Sequence, residues 1–352
     1  MHPPVAKSKR KNRDAHATSS LGPIRVDALK ASAGGILMQK ANPHALRLLH
    51  LTFAIVLQGI ICQSQTSTAI NGPEPLPASE SMAITSKVQE VNLSLVVTDK
   101  KGHFVPNLTA NDIAIQDNAK PPDKITYFNQ FTDLPLRIAL VIDGSDSVYF
   151  AFNDEKRAAL DFLKHVTRSS SDLALIIGFN QETLVAQTAT GDTQLLAHAI
   201  KALRPGGQTA VYDAVNVAIE QLNQMKENGP SRHVIILLSD GEDNASHIDL
   251  NNAVTLAQQN ETTVYVLNLG YPSQEAQNAM KQLAELTGGE FHYTREVTSI
   301  DSAFSKLVRD LRSQYAIGYK PAHMVPDGSF HRITVSAHNK LRLRYRRGYF
   351  AR

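Results

Sequence analysis

The sequence predicts an α/β fold, a doubly wound and mostly parallel sheet inserted in or flanked by a small β-sandwich module built from N- and C-terminal strands. Three observations lead there. Continuous apolar runs alternate with helical stretches from 134 to 313, as buried parallel strands and their crossover helices do. Ahead of that span, Val91, Leu93, Leu95 and Val97 recur at the period of a half-buried strand. Behind it, strand-like segments return from Gln314 to Phe350.

The first 64 residues read as a leader. Arg47 to Cys62 is an apolar stretch behind basic residues, with a hydrophobic region at 48–61 of signal-peptide length and too short for a confident membrane span. Met38 is the expected working start, with Lys40 and Arg47 as its positive region and cleavage near Ser64. Lipid attachment at Cys62 ranks lower, because Gly59-Ile-Ile61 lacks the small residue expected before such a cysteine. The chain is therefore expected to be exported, to the periplasm or beyond the cell, with no membrane span in the mature part. Cys62 is the only cysteine, so stability rests on packing and not on an internal disulfide.

Composition excludes one class of partner. The 352 residues are 42% hydrophobic, ample for a substantial core, and carry a net charge of +3. Nine Lys and Arg and two Asp and Glu fall within residues 1–64, leaving 27 basic residues against 31 acidic ones beyond. The body of the chain is net negative, so nucleic-acid binding lacks its electrostatic basis.

Residues 65–86, rich in Pro, Ser and Thr without apolar period, read as a linker. An N-terminal β-module is expected over 87–132, with strands at 88–98, 113–116 and 124–128 and a turn at 99–102. An α/β domain is expected over 133–313, with strands or helices at 136–142, 154–167, 173–179, 193–203, 210–226, 233–239, 248–259, 262–269, 273–287 and 299–313. Thr183 to Thr188 is expected as an antiparallel edge strand. The C-terminal segment, 314–352, is too small for a core of its own and is expected to pair with 87–132. Lys340 to Phe350 reads as one strand with a solvated basic face of Arg342, Arg344 and Arg346.

The chemistry-bearing residues gather at strand ends. Asp143-Gly-Ser145-Asp-Ser147 follows the apolar run 136–142; Thr209 closes a glycine loop at the start of a helical run; Asp240 ends the apolar run 233–239. Ligands of doubly wound sheets bind beyond the carboxyl ends of the strands. Carboxylates and hydroxyls offer only oxygen donors, which suits a hard cation such as magnesium with its preference for about six oxygens. Asp143 and Asp240 also fit a plainer role as helix caps.

These residues resemble the von Willebrand factor type A domain, over roughly 134–313, whose metal-ion-dependent adhesion site reads Asp-x-Ser-x-Ser, then Thr, then Asp on successive loops. The layout is also similar to an acidobacterial group of exported proteins related to that family, through the Val-Thr-Asp-x-x-Gly turn and the Arg-x-Gly-Tyr ending. The resemblance implies that Ser145, Ser147 and Thr209 ligate magnesium, manganese or calcium directly, and that Asp143 and Asp240 do so directly or through water. It further implies recognition of a partner protein's Asp or Glu at an open coordination position. Asp146 stands where the family usually has glycine, which is harmless if its φ is negative.

Two other functions compete with this adhesion module. One is a structural part of an envelope assembly with a vestigial metal site. The other is a metal-dependent hydrolase, ranked lower because Ser145 and Ser147 lie in no nucleophile elbow, no histidine falls in the loops nearest to them, and a second strand-end Asp close by and a basic phosphate clamp are missing. The chain is expected not to be an enzyme. His323, His331 and His338 lack zinc-ligand spacing, and 240–244 lacks the oxygen spacing of a calcium loop.

Overall fold

The computed structural model describes residues 90–352 except 132–133, 169, 226–228, 295–296 and 339. The expected leader, its hydrophobic region, Cys62, Ser64 and the linker at 65–86 lie outside the described residues.

A six-stranded sheet forms the centre of the α/β part. Its strands are β4 (Leu136–Asp143), β5 (Leu173–Phe179), β6 (Thr183–Thr190), β7 (Arg232–Ser239), β8 (Thr263–Leu269) and β9 (Phe291–Thr294), in the order β6-β5-β4-β7-β8-β9. All pairs are parallel except β5 with β6, which makes β6 an antiparallel edge. Buried on both faces, β4 and β7 can be continuous apolar runs, and Ile138 to Ile142 and Val234 to Leu238 are fully inaccessible.

Among the described residues, six α-helices cover the two faces. One core joins the sheet to α1 (Phe152–Val166), α2 (Thr193–Ala202) and α6 (Val297–Arg312). A second joins it to α3 (Val211–Asn223), α4 (Leu250–Gln259) and α5 (Gln274–Thr287). Strand β4 has β5 on one side and β7 on the other, so the strand order reverses there and leaves a crevice at the carboxyl edge.

The outer strands build a sandwich around a third core. One sheet runs β12 (Arg342–Arg344), β1 (Val91–Thr98), β10 (Gln314–Lys320), β3 (Lys124–Phe131); the other runs β13 (Gly348–Phe350), β11 (Phe330–Ala337), β2 (Ile113–Asp117). Leu93, Leu95 and Val97 of β1 pack with Ile113 and Ile115 of β2, Tyr315 and Ile317 of β10, and Ile333 of β11. The C-terminal strands thus complete the N-terminal ones: β10 lies between β1 and β3, with Leu93 opposite Ile317 and Gln314 opposite Phe131. The α/β part is inserted between β3 and β10.

Two expectations need correcting. Lys340 to Phe350 is not one strand but two, β12 and β13, in opposite sheets. The backbone passes so close to β11 at Gly348 that a Cβ there would stand 2.5 Å from the His331 carbonyl oxygen. Nor is the arginine face solvated throughout: Arg342 is exposed, but Arg344 is not. Arg344 pairs with Glu290 and, at 2.6 Å, with Asp310 of α6, while Lys306 of α6 pairs with Glu290. The arginine was read as an outward strand position, and it instead ties the sandwich to the last helix. Strand β9 was not expected at all.

Candidate functional site

The carboxyl edge of β4 carries the first segment of the site. Asp143 is the last residue of that strand, fully buried, with one carboxylate oxygen accepting from the Ser145 amide at 2.8 Å and the other from the Ser239 hydroxyl at 2.5 Å. Burial pushes its pKa up to about 6, opposed by these hydrogen bonds and reinforced by the charge of Asp240. Ser145 is buried beside it, and its hydroxyl lies 3.0 Å from that of Ser147, which is exposed.

A short 3-10 turn, Asp146–Val148, follows. Asp146 has negative φ, so the expected glycine is replaced without backbone strain. Its side chain is exposed, and its amide donates to the Gly207 carbonyl at 3.0 Å. The Gly206 amide donates to the Gly144 carbonyl at 2.6 Å, so the glycine loop is stitched to the β4 loop at two points. Gly206 and Gly207 have φ of 145° and 103°, a pair of conformations open to glycine and strained for other residues. Asn180 fastens the same loop from β5's end, donating to the Gly206 carbonyl at 2.6 Å and accepting from the Ala210 amide at 2.8 Å.

Thr209 follows this loop, buried, two residues ahead of α3. It is held by the third segment: its amide donates to the Asn244 side chain at 2.9 Å, and its carbonyl accepts from the Asn244 and Ala245 amides, each at 3.0 Å. Asp240, just past β7, is buried, and its carbonyl accepts from Asn268 of β8 at 2.8 Å. Asp243 is no free turn residue. Its carboxylate accepts from the Tyr212 amide in the first turn of α3 at 3.2 Å and from the Ser246 hydroxyl at 2.5 Å, a cap supplied from another loop.

The structure therefore brings the β4 loop, the glycine loop and the β7 loop into one hydrogen-bonded cluster at the sheet's reversal. Sequence reasoning missed three of its members, Ser239, Asn180 and Asn244, and passed over Glu155. Glu155, in the first turn of α1, has a relative exposure of 0%, and neither of its carboxylate oxygens has a hydrogen-bond partner among the described residues. Its spacing from Phe152, Ala159 and Phe162 puts it on the apolar face of α1, a pattern legible in the sequence.

The candidate ligand side chains, those of Asp143, Ser145, Ser147, Thr209 and Asp240, offer only oxygens, which fits a hard divalent ion. Among the described residues, no three or more His, Cys, Asp and Glu side chains are grouped so as to hold a metal, so the candidate set leans on hydroxyls. The orphaned carboxylate of Glu155 fits a cation as well, since such a group in low dielectric calls for a partner that the described residues do not provide. Around the edge the surface is aromatic: Tyr149 and Phe150 are 59% and 96% exposed and meet edge to face.

Comparison with known proteins bears on the inserted part of the chain. The family model for the von Willebrand factor type A domain matches residues 138–309. No curated protein matches. Similar solved structures include a von Willebrand factor type A protein from Catenulispora acidiphila, 13% identical over 69% of this chain and 74% of that one, with a TM-score of 0.47. The conserved hypothetical protein BatB from Bacteroides thetaiotaomicron is 15% identical over 51% of this chain and all of its own, with a TM-score of 0.42. Proximal thread matrix protein 1 from the mussel byssus, described with a zinc-occupied MIDAS motif, is 16% identical over 55% of this chain and 49% of its own, with a TM-score of 0.45.

Proposed function

The chain carries a von Willebrand factor type A domain at residues 138–309, and from that premise we propose that it is a protein-binding module that recognises an acidic side chain through a divalent cation. Ser145, Ser147 and Thr209 would ligate the ion, with Asp143 and Asp240 acting directly or through water. The observation that carries this reading is the Ser145 and Ser147 hydroxyl pair, 3.0 Å apart and next to a buried Asp143. Both oxygens of Asp143 already accept hydrogen bonds from the protein, which favours its contact through water. Hydroxyls neutralise little of the ion's charge, so it stays attractive to a carboxylate from outside.

The cation would be magnesium or manganese, with calcium a further candidate. Its role is recognition, not turnover. The apolar segment behind basic residues at 47–62 supports an exported protein, periplasmic or extracellular. No helix among the described residues is long and apolar enough to cross a membrane.

Tyr149 and Phe150 favour a second reading, in which the same edge docks onto an envelope assembly by ordinary contacts and the metal is dispensable. Capture from envelope extracts separates the two. Retention lost in chelator, lost in Asp143→Ala and restored by magnesium supports the cation bridge. Retention untouched by chelator but lost in a Tyr149→Ala and Phe150→Ala double variant supports the second reading.

A further inference from the structure

Among the described residues, each other buried carboxylate has donors of its own. Asp117 accepts from His331, Tyr319 and Tyr349; Asp172 from two backbone amides and Arg312; Asp310 from Arg344; Asp240 from the Glu242 amide. Glu155 is the exception. It is fully inaccessible, it sits in the first turn of α1, the helix that follows the Asp143 to Ser147 loop, and both its oxygens stand without a hydrogen-bond partner among the described residues.

Neither protonation state removes the difficulty. An ionised carboxylate at this position lacks donors and is surrounded by low-dielectric packing, which is costly. A neutral carboxyl would need an acceptor for its own proton, and no hydrogen bond of either sense reaches it from the described residues. The missing partner is therefore not among the described residues. Burial first, and then the charges of Asp143 and Asp240, the two strand-end carboxylates of the site, hold the pKa of Glu155 well above the usual carboxylate range. A cation with its bound water would relieve both the desolvation of this carboxylate and its repulsion by the other two.

We propose that Glu155 is a further member of the cation site, accepting hydrogen bonds from water bound to the divalent ion. This rests on the cation reading given above and extends it. Glu155 makes no hydrogen bond with Ser145, Ser147 or Thr209, so its place is in the outer shell, where it orients the ion's water and adds a negative charge that the hydroxyl ligands do not provide. Outer-shell partners of this kind change metal affinity by about 10- to 100-fold when removed. The polar carboxylate would thus sit in an apolar helix face for the sake of the ion, not of the fold.

The test uses the full chain and manganese alone as probe, in Glu155→Gln, Glu155→Met and Asp143→Ala variants. Manganese affinity is read by calorimetry, and melting temperature is read in chelator. The expected pattern has opposite signs: Glu155→Met melts higher than the parent in chelator, because an orphaned buried polar group is gone, yet both Glu155 variants bind manganese about 10- to 100-fold more weakly. Either variant binding manganese as tightly as the parent overturns the proposal. So does a fall in melting temperature of both variants in chelator, which would make Glu155 a support of the fold itself. Failure of the parent chain to bind manganese overturns instead the cation reading beneath it, and loss of binding in Asp143→Ala alone assigns the ion to the strand-end ligands without Glu155.

Discussion

The Ser239 hydroxyl donates to the buried Asp143 carboxylate across 2.5 Å, from the last residue of β7 to the last residue of β4. The same Ser239 oxygen accepts from the Gly241 amide at 2.9 Å, so one side chain fixes both the carboxylate of one loop and the course of the next. Replacing Ser239 with Ala would strip Asp143 of a donor and let the β7 loop drift. The expected cost is about 1 to 2 kcal/mol of stability, with cation affinity down about tenfold. Chemical denaturation and manganese calorimetry measure the two, and a variant equal to the parent in both would remove Ser239 from the site.

Arg344 joins the sandwich to α6. Its side chain is 21% exposed, against 23% for Glu290 and 9% for Asp310, so the cluster is largely but not wholly withdrawn from water. Burial works against the charge of Glu290, yet Arg344, His292 and Lys306 outweigh it and hold its pKa below the usual value. Arg344→Met would leave two carboxylates facing each other with Lys306 alone, at an expected cost of about 2 to 3 kcal/mol, somewhat under the range for fully buried pairs. Urea titration checks it; a change below about 0.5 kcal/mol, the usual range for surface substitutions, would show the cluster to be solvated.

His292, in β9, gives the fold an acid sensitivity. Burial pushes its pKa down to about 4, with Glu290 opposing and Lys306 and Arg344 adding to the fall. The unfolded chain takes up this proton near pH 6.5 and the folded one only near pH 4, so acidification between those values favours unfolding. The loss from this residue is on the order of 3 kcal/mol across the window. His292→Phe should flatten that part of the stability profile; an unchanged slope between pH 6.5 and 4 would assign the acid sensitivity to other groups.

Ending the chain at Ser313 removes β10 from between β1 and β3, and with it β11, β12 and β13. What remains of the sandwich has no neighbouring strands to pair with. Amide exchange in 91–98 and 124–131 is expected to approach the rate of unstructured peptide, while strands β4 and β7 keep their protection. Continued protection of β1 in the shortened chain would show that the first three strands hold together without the last four.

Much of the site was legible because its geometry follows from strand burial. A parallel strand covered on both faces must be an unbroken apolar run, so its end is marked by the first polar residue, and Asp143 and Asp240 were found that way. The residues that were missed carry ambiguous marks. Ser239 at a strand end reads like any turn serine, and Asn244 reads like a solvated loop residue until the fold brings it to Thr209 across 35 positions. Glu155 follows Asp154 in a helix's first turn, where acidic residues are favoured for the helix dipole, and this masked its place in the apolar stripe.

The limits in the fold have similar causes. Strand β9 is only four residues, Phe291–Thr294, and lacks the alternation a longer edge strand would show. The segment from Lys340 to Phe350 alternates well enough for one strand, but the turn around Arg346 and Arg347 that sends its halves to opposite sheets is set by contacts far away, among them Arg346 with the Asn92 carbonyl at 2.7 Å and the Arg347 amide with the Leu286 carbonyl at 3.1 Å. Local pattern does not carry such information.

The inserted domain leaves and rejoins the sandwich at neighbouring positions, Phe131 and Gln314, which face each other across an antiparallel pair. Tension applied between residue 90 and residue 352 therefore runs through the sandwich strands and bypasses the sheet that bears the site. The edge that carries the candidate site stays out of the path of load for as long as the clasp formed by β3 and β10 holds, and load reaches it only when that clasp tears.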